Sequence, residues 1–187
     1  MKKTQGLYVL LLIGIGMAAQ AAIKPMHFKV NKLNAFYDSG VFIGGESGKA
    51  FSILNVERKN EKTGERIVIN YGDEGGRKLM GKTGFFHVSL EQNPPRLVVD
   101  LSQVQRTGVD EKKLAAIFRN SANVKSTEMT MDPEDFSTNL TLYLKQPVRA
   151  RVNTFKDPKQ QGRIVIDVVK PGVPAAPGQT NKAKGNK

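Results

Sequence analysis

Apolar and polar residues alternate with period two in short runs along this chain, and the runs recur in the same order. In RIVINY, Ile67, Ile69 and Tyr71 take one side while Arg66, Val68 and Asn70 take the other, as in a half-buried strand. FFHVSL continues the pattern, with Phe86, Val88 and Leu90 alternating with Phe85, His87 and Ser89. The Asn93-Pro94-Pro95 turn then leads into RLVVDL, which sets Leu97, Val99 and Leu101 inward and Arg96, Val98 and Asp100 outward. The second half repeats the order: NLTLYL aligns Leu140, Leu142 and Leu144, VRARV aligns Val148, Ala150 and Val152, and Asp157-Pro158 introduces RIVIDV. FSILNVER and VKSTEMTM read as leading strands, so each half supplies four.

Between the halves, VDEKKLAAIFRN carries the helical period. Asp110 is placed to cap the first turn, Val109 and Leu114 stand at staple spacing, and Leu114, Ile117 and Phe118 form an apolar stripe. Layers that are apolar on one side bury that side by packing face to face. The pattern therefore predicts an all-β fold: a sandwich of two similar, mostly antiparallel four-stranded sheets related by internal duplication, with one short connecting helix. A run of two hairpin-rich modules on one continuous sheet is the alternative.

The ends differ from this middle. MKK, the apolar run LYVLLLIGIGM and then AAQAA follow the charged, apolar, small-residue order of a signal peptide over residues 1–21, with cleavage after Ala21. The apolar run falls short of the roughly 20 residues a bilayer span needs, so no integral membrane span is expected after cleavage. Residues 22–49 read as irregular, residues 50–169 as the β domain, and residues 170–187, polar and lysine-bearing, as a disordered basic tail. The expected location is the periplasm.

With no cysteine, neither a disulfide framework nor a thiolate metal site is available. The formal net charge of +12 favours anionic partners at close range. Outside the cytoplasm these are acidic polymers and membrane faces rather than nucleic acid. GGESGKA lacks the first glycine and the hydroxyl residue of a phosphate-binding loop, having Ile43 and Ala50 there. His27 and His87 are not at ligand spacing, and no serine occupies a nucleophile elbow. The reading is thus of a non-enzymatic protein without a cofactor. Asn139-Leu140-Thr141 fits a glycosylation triplet but falls inside a strand.

The candidate ligand-binding residues come from the repeated R-x-V-x-D pattern. Residues i and i+4 of a strand share a face, so Arg96 with Asp100, and Arg163 with Asp167, project outward; Arg66 opens a weaker third copy. Together with Arg149, Arg151 and His87 on neighbouring strands, they would form a polar ladder offering bidentate guanidinium donors to carboxylates. Cross-strand ion pairing alone is the equally simple alternative.

GFFHVSLEQNPPRLVVDLSQV and NLTLYLKQPVRARVNTFKDPKQQGRIVIDVV resemble the AMIN domain, the non-catalytic module of exported cell-wall amidases and type IV pilus secretins. The resemblance spans about Ala50 to Val169 and implies a sandwich of two similar β-sheets, a periplasmic location and peptidoglycan binding that localises an envelope machine. Only a polar tail follows Val169, so the expectation is a stand-alone domain: a free wall-binding protein, or an accessory subunit bridging the wall to an envelope secretin, division or pilus complex. The connection GDEGGRKLMGKTG is longer than its counterpart Gln146-Pro147, as a partner-binding loop or a tolerated insertion would be.

Overall fold

The computed structural model describes residues 30–48, 50–155 and 157–172. The signal peptide, residues 22–29 of the N-terminal segment and most of the basic tail lie outside them. All eight strands and the helix expected from the alternation form: β3 (Phe51–Glu61), β4 (Gly64–Gly72), β5 (Phe86–Gln92), β6 (Pro95–Leu101), α1 (Glu111–Phe118), β8 (Val124–Asp132), β9 (Ser137–Leu144), β10 (Arg149–Thr154) and β11 (Arg163–Val169). Asp110 caps α1 by accepting a hydrogen bond from the Lys113 N–H, and Leu114 and Phe118 are buried.

The sheets are larger than expected, and they are mixed. With β1 (Val30–Asn31), β2 (Gly40–Gly44) and β7 (Val104–Thr107) added, sheet A has six strands in the order β1-β2-β5-β6-β9-β8, and sheet B has five in the order β10-β11-β4-β3-β7. β1 runs parallel to β2, and β7 parallel to β3. The segment read as irregular therefore holds strands, because Phe42 of β2 is a fully buried core residue beside Phe86 and Val88 of β5.

A second correction concerns ownership of the sheets. The halves were expected to form one layer each, but they interleave. The first half gives hairpin β3-β4 to sheet B and hairpin β5-β6 to sheet A; the second gives β8-β9 to A and β10-β11 to B. The antiparallel centres of the sheets, β5-β6-β9-β8 and β10-β11-β4-β3, thus have the same topology with the halves exchanged. RLVVDL pairs with β9, and GRIVIDV pairs with RIVIN of β4.

Interleaving requires each half to cross between sheets. The first half crosses through residues 73–85, which are tied down by backbone bonds. Gly162 N–H donates to Leu79 C=O at 2.6 Å, Gly81 N–H to Gln160 C=O at 2.8 Å, and Tyr71 N–H to Gly162 C=O at 2.9 Å. A Cβ on Gly162 would lie 1.6 Å from the Lys82 carbonyl oxygen, so only glycine admits this approach. The long connection is thereby built into the base of β11.

The inner faces form one core, with Leu97, Val99 and Leu101 of β6 facing Ile164, Ile166 and Val168 of β11 among its members. One inward position is a carboxylate. Glu65 shares the inward side of β4 with Ile67 and is almost wholly buried. Its carboxylate accepts from Arg58 Nη1 at 2.7 Å, Ser121 Oγ at 2.6 Å, the Ala122 N–H at 2.9 Å and Asn123 Nδ2 at 3.1 Å. Arg58 Nε donates in turn to the Ile117 carbonyl at the end of α1. This cluster fastens the passage from the first half to the second onto sheet B.

Burial alone would push the Glu65 carboxyl up, but the bonds from Ser121, Ala122, Asn123 and Arg58 outweigh it and hold the group below its ordinary 4.5. A lowered folded value means that this stabilisation is complete above 4.5 and drains away as pH falls through the folded value. Glu65→Ala leaves Arg58 without its buried partner and should cost about 3–5 kcal/mol in urea unfolding at pH 7. The difference from the unsubstituted protein should shrink as the pH is taken below 4.5 and through the lowered folded value.

Candidate functional site

The eight candidate residues do not form one ladder. Because the R-x-V-x-D copies sit at the centres of different sheets, their outer faces point to opposite sides of the sandwich. Arg66, Arg149, Arg151, Arg163 and Asp167 lie on sheet B, and His87, Arg96 and Asp100 on sheet A. His87 is therefore not a neighbour of Arg149 and Arg151, as had been expected.

On sheet B the register aligns Arg151, Asp167, Arg66 and Lys59 across four strands. Asp167 is nearly buried and receives both flanking arginines. Arg66 donates from Nε to Oδ1 at 2.6 Å and from Nη2 to Oδ2 at 3.3 Å. Arg151 donates from Nε at 3.1 Å and Nη2 at 2.7 Å, both to Oδ2. The bond to Asp167 reinforces the charged form of Arg66. One carboxylate thus answers two guanidiniums; Arg66 Nη1 also lies 3.5 Å from Glu61 Oε1, and Lys59, next in the row, lies 3.4 Å from Glu57 Oε2. The Arg66 side chain remains 38% exposed, against 13% for Arg151, and shares its exposed end with the similarly exposed Glu61.

Phe36 completes this face, and nothing in the alternation pattern marked it. The chain from Asn34 to Tyr37 runs along the outer edge of β10, where Asn34 N–H donates to Val152 C=O and Tyr37 exchanges two bonds with Ala150, each at 2.9 Å. This sets the Phe36 ring 4.6 Å from the Arg151 guanidinium carbon and 5.9 Å from that of Arg149. Arg149 Nε lies 3.3 Å from Asp38 Oδ1 without hydrogen-bond alignment. At the other end of β11, Arg163 stacks on Phe155 at 4.6 Å, and its buried Nε finds no acceptor among the described residues. Sheet B therefore carries guanidiniums held flat by aromatic rings, a geometry suited to planar anions such as carboxylates.

Sheet A is arranged differently. Arg96 pairs across the hairpin with Glu91 at 2.8 Å, and it does not reach Asp100. An exposed pair of this kind contributes about 0–1 kcal/mol. Asp100 stands opposite His87 in the β5-β6 register, and its Oδ1 is buried without a partner among the described residues. Burial pushes the Asp100 carboxyl above its ordinary 3.8; His87 opposes this and Asp135 adds to it.

Comparison with known protein-family models and with curated proteins returns no match to this chain.

A raised folded value places the Asp100 contribution on the acid side: it is favourable below 3.8 and is lost as pH rises through the folded value. Asp100→Asn should therefore stabilise the protein by about 1 kcal/mol at pH 7, where the wild-type group is charged and underpartnered. In thermal unfolding that gain should vanish below pH 3 or so, where both side chains are neutral.

Proposed function

We propose that this is a non-enzymatic, exported protein of the periplasm that binds peptidoglycan through the outer face of sheet B and thereby anchors a cell-envelope complex. The observation that carries the reading is the row Arg151-Asp167-Arg66, in which two guanidiniums converge on one carboxylate beside Phe36 and the partly exposed Arg149. Carboxylates of the wall's stem peptides are the ligands such a row suits, through bidentate guanidinium contacts. Removal of the first 21 residues with Lys2 and Lys3 takes the formal net charge from +12 to +10, which still draws an anionic polymer toward the protein. The signal-like first 21 residues and the resemblance to AMIN domains point the same way, and the sandwich agrees with what that resemblance implies.

In this reading the duplicated R-x-V-x-D units have diverged: the β11 copy serves the ligand, while in the β6 copy Arg96 turns to Glu91 and the buried Asp100 Oδ1 stands without a partner among the described residues. A second reading, an accessory subunit that docks on a protein such as an envelope secretin, draws its support from the open edge of β8, away from the arginine row. The connection from Gly72 to Gly84 offers less support, since its backbone is already committed to the loop before β11.

Pelleting of the signal-free protein with purified sacculi tests the proposal. The wild-type protein should co-sediment at low salt and be released as salt shortens the Debye length below about 8 Å. Arg66→Ala combined with Arg149→Ala should weaken binding about tenfold, or 1.4 kcal/mol, while Arg96→Ala on the opposite face leaves it unchanged. A wild-type protein that stays in the supernatant at low salt, or an equal loss from Arg96→Ala, overturns the assignment.

A further inference from the structure

An open sheet edge presents unpaired backbone groups that can receive another strand, and proteins ordinarily shorten or cover such edges. Two sheets have four edges, and three of them here are managed. β1, at one edge of sheet A, is two residues long, and β7, at one edge of sheet B, is four. The outer edge of β10 is covered by the chain around Tyr37.

β8 is the exception. It is nine residues long, contains no proline, and its side chains from Lys125 onward are mostly exposed. α1 packs against it, yet among the described residues no backbone bond outside the β9 ladder reaches Ser126 to Asp132.

The two faces of this edge differ in chemistry. Met129 and Met131 share the inward side with Leu140 and Thr138, and they line a groove of 370 Å³ together with Val109, Asp110 and Lys113. Met131 is 45% exposed in that groove. The outward side carries Glu128 and Asp132, and the turn that follows adds Glu134 and Asp135, all exposed. In a chain of net charge +12, the open edge is locally acidic.

We propose that β8 is a docking edge for an extended segment of a partner protein in which apolar and basic residues alternate. An added strand shares its faces with the strand it joins, so its alternate side chains meet the methionine groove and the acidic row respectively. Backbone bonds to β8 supply the affinity, and the two pockets of unlike chemistry supply the choice of sequence. The proposal stands independently of wall binding, since β8 and the arginine row belong to different sheets.

The probe is a capped synthetic peptide of alternating Lys and Val, titrated into the signal-free protein with fluorescence anisotropy and amide hydrogen exchange as readouts. It should bind, should slow exchange within Val124–Asp132, and should lose at least about tenfold in affinity when its lysines are replaced by glutamates. Glu128→Lys combined with Asp132→Lys should cause a comparable loss. Two N-methylated peptides make the test specific to strand addition and use the unaltered protein. In a strand all Val amides face one edge and all Lys amides the other, so methylating one set should abolish binding and methylating the other should spare it. No binding by the parent peptide, equal binding by both methylated forms, or protection confined to other strands overturns the proposal.

Discussion

The constraint on which this structure depends is that neither half of the chain can bury its own apolar faces. Each half folds into two hairpins that belong to opposite sheets, so every sheet centre joins one hairpin from each half. A half on its own would leave the inner faces of both hairpins without the neighbours that close them. The point where the chain leaves one half for the other is held by a buried polar cluster. Glu65, buried at an inward position, ties β4, the end of α1 and the start of β8 together through five hydrogen-bond links counting the one from Arg58 to Ile117. A lone carboxylate in that position would be costly, and the surrounding donors turn it into a fixed point.

The arginine row inherits this arrangement. Arg151 and Asp167 come from the second half and Arg66 from the first, and they meet because β11 pairs with β4 across the interleave. Were each half a sheet of its own, Asp167 would have Arg151 for company without Arg66. The convergence of two guanidiniums on one carboxylate is therefore a product of topology as well as composition. The rings of Phe36 and Phe155 hold the guanidiniums of Arg151 and Arg163 on the same face, which reduces the side-chain entropy a ligand contact must overcome.

The parts of the fold that were legible in the sequence are those written in local periodicity. RIVINY, RLVVDL, NLTLYL and RIVIDV each alternate clearly, and Asp110 with Leu114 and Phe118 marked the helix and its cap. GVFIG of β2 was missed because five residues flanked by glycines give too short an alternation, although Phe42 supplies a core side chain. Strand partnership was not legible, because period two fixes which side chains are inward and says nothing about which strand lies alongside. For that reason Arg96 and Arg163 looked like equivalent members of one site and are instead on opposite faces. Phe36 escaped because its position comes from backbone bonds to β10, a long-range contact. Glu65 did leave a trace: it has the parity of Ile67 and Ile69, so a carboxylate on the inward side of a strand was visible as an anomaly in need of donors.

The claim at the centre of this account is that the face of sheet B, and not that of sheet A, meets the cell wall. Titration of a soluble muropeptide bearing a free stem-peptide carboxylate into isotopically labelled protein, followed by NMR, addresses it residue by residue. Binding through sheet B should give progressive shifts of the guanidinium and backbone signals of Arg66, Arg149 and Arg151, with His87, Arg96 and Asp100 unmoved. Shifts centred on His87 and Arg96, or no shifts on either face at millimolar muropeptide, would contradict it.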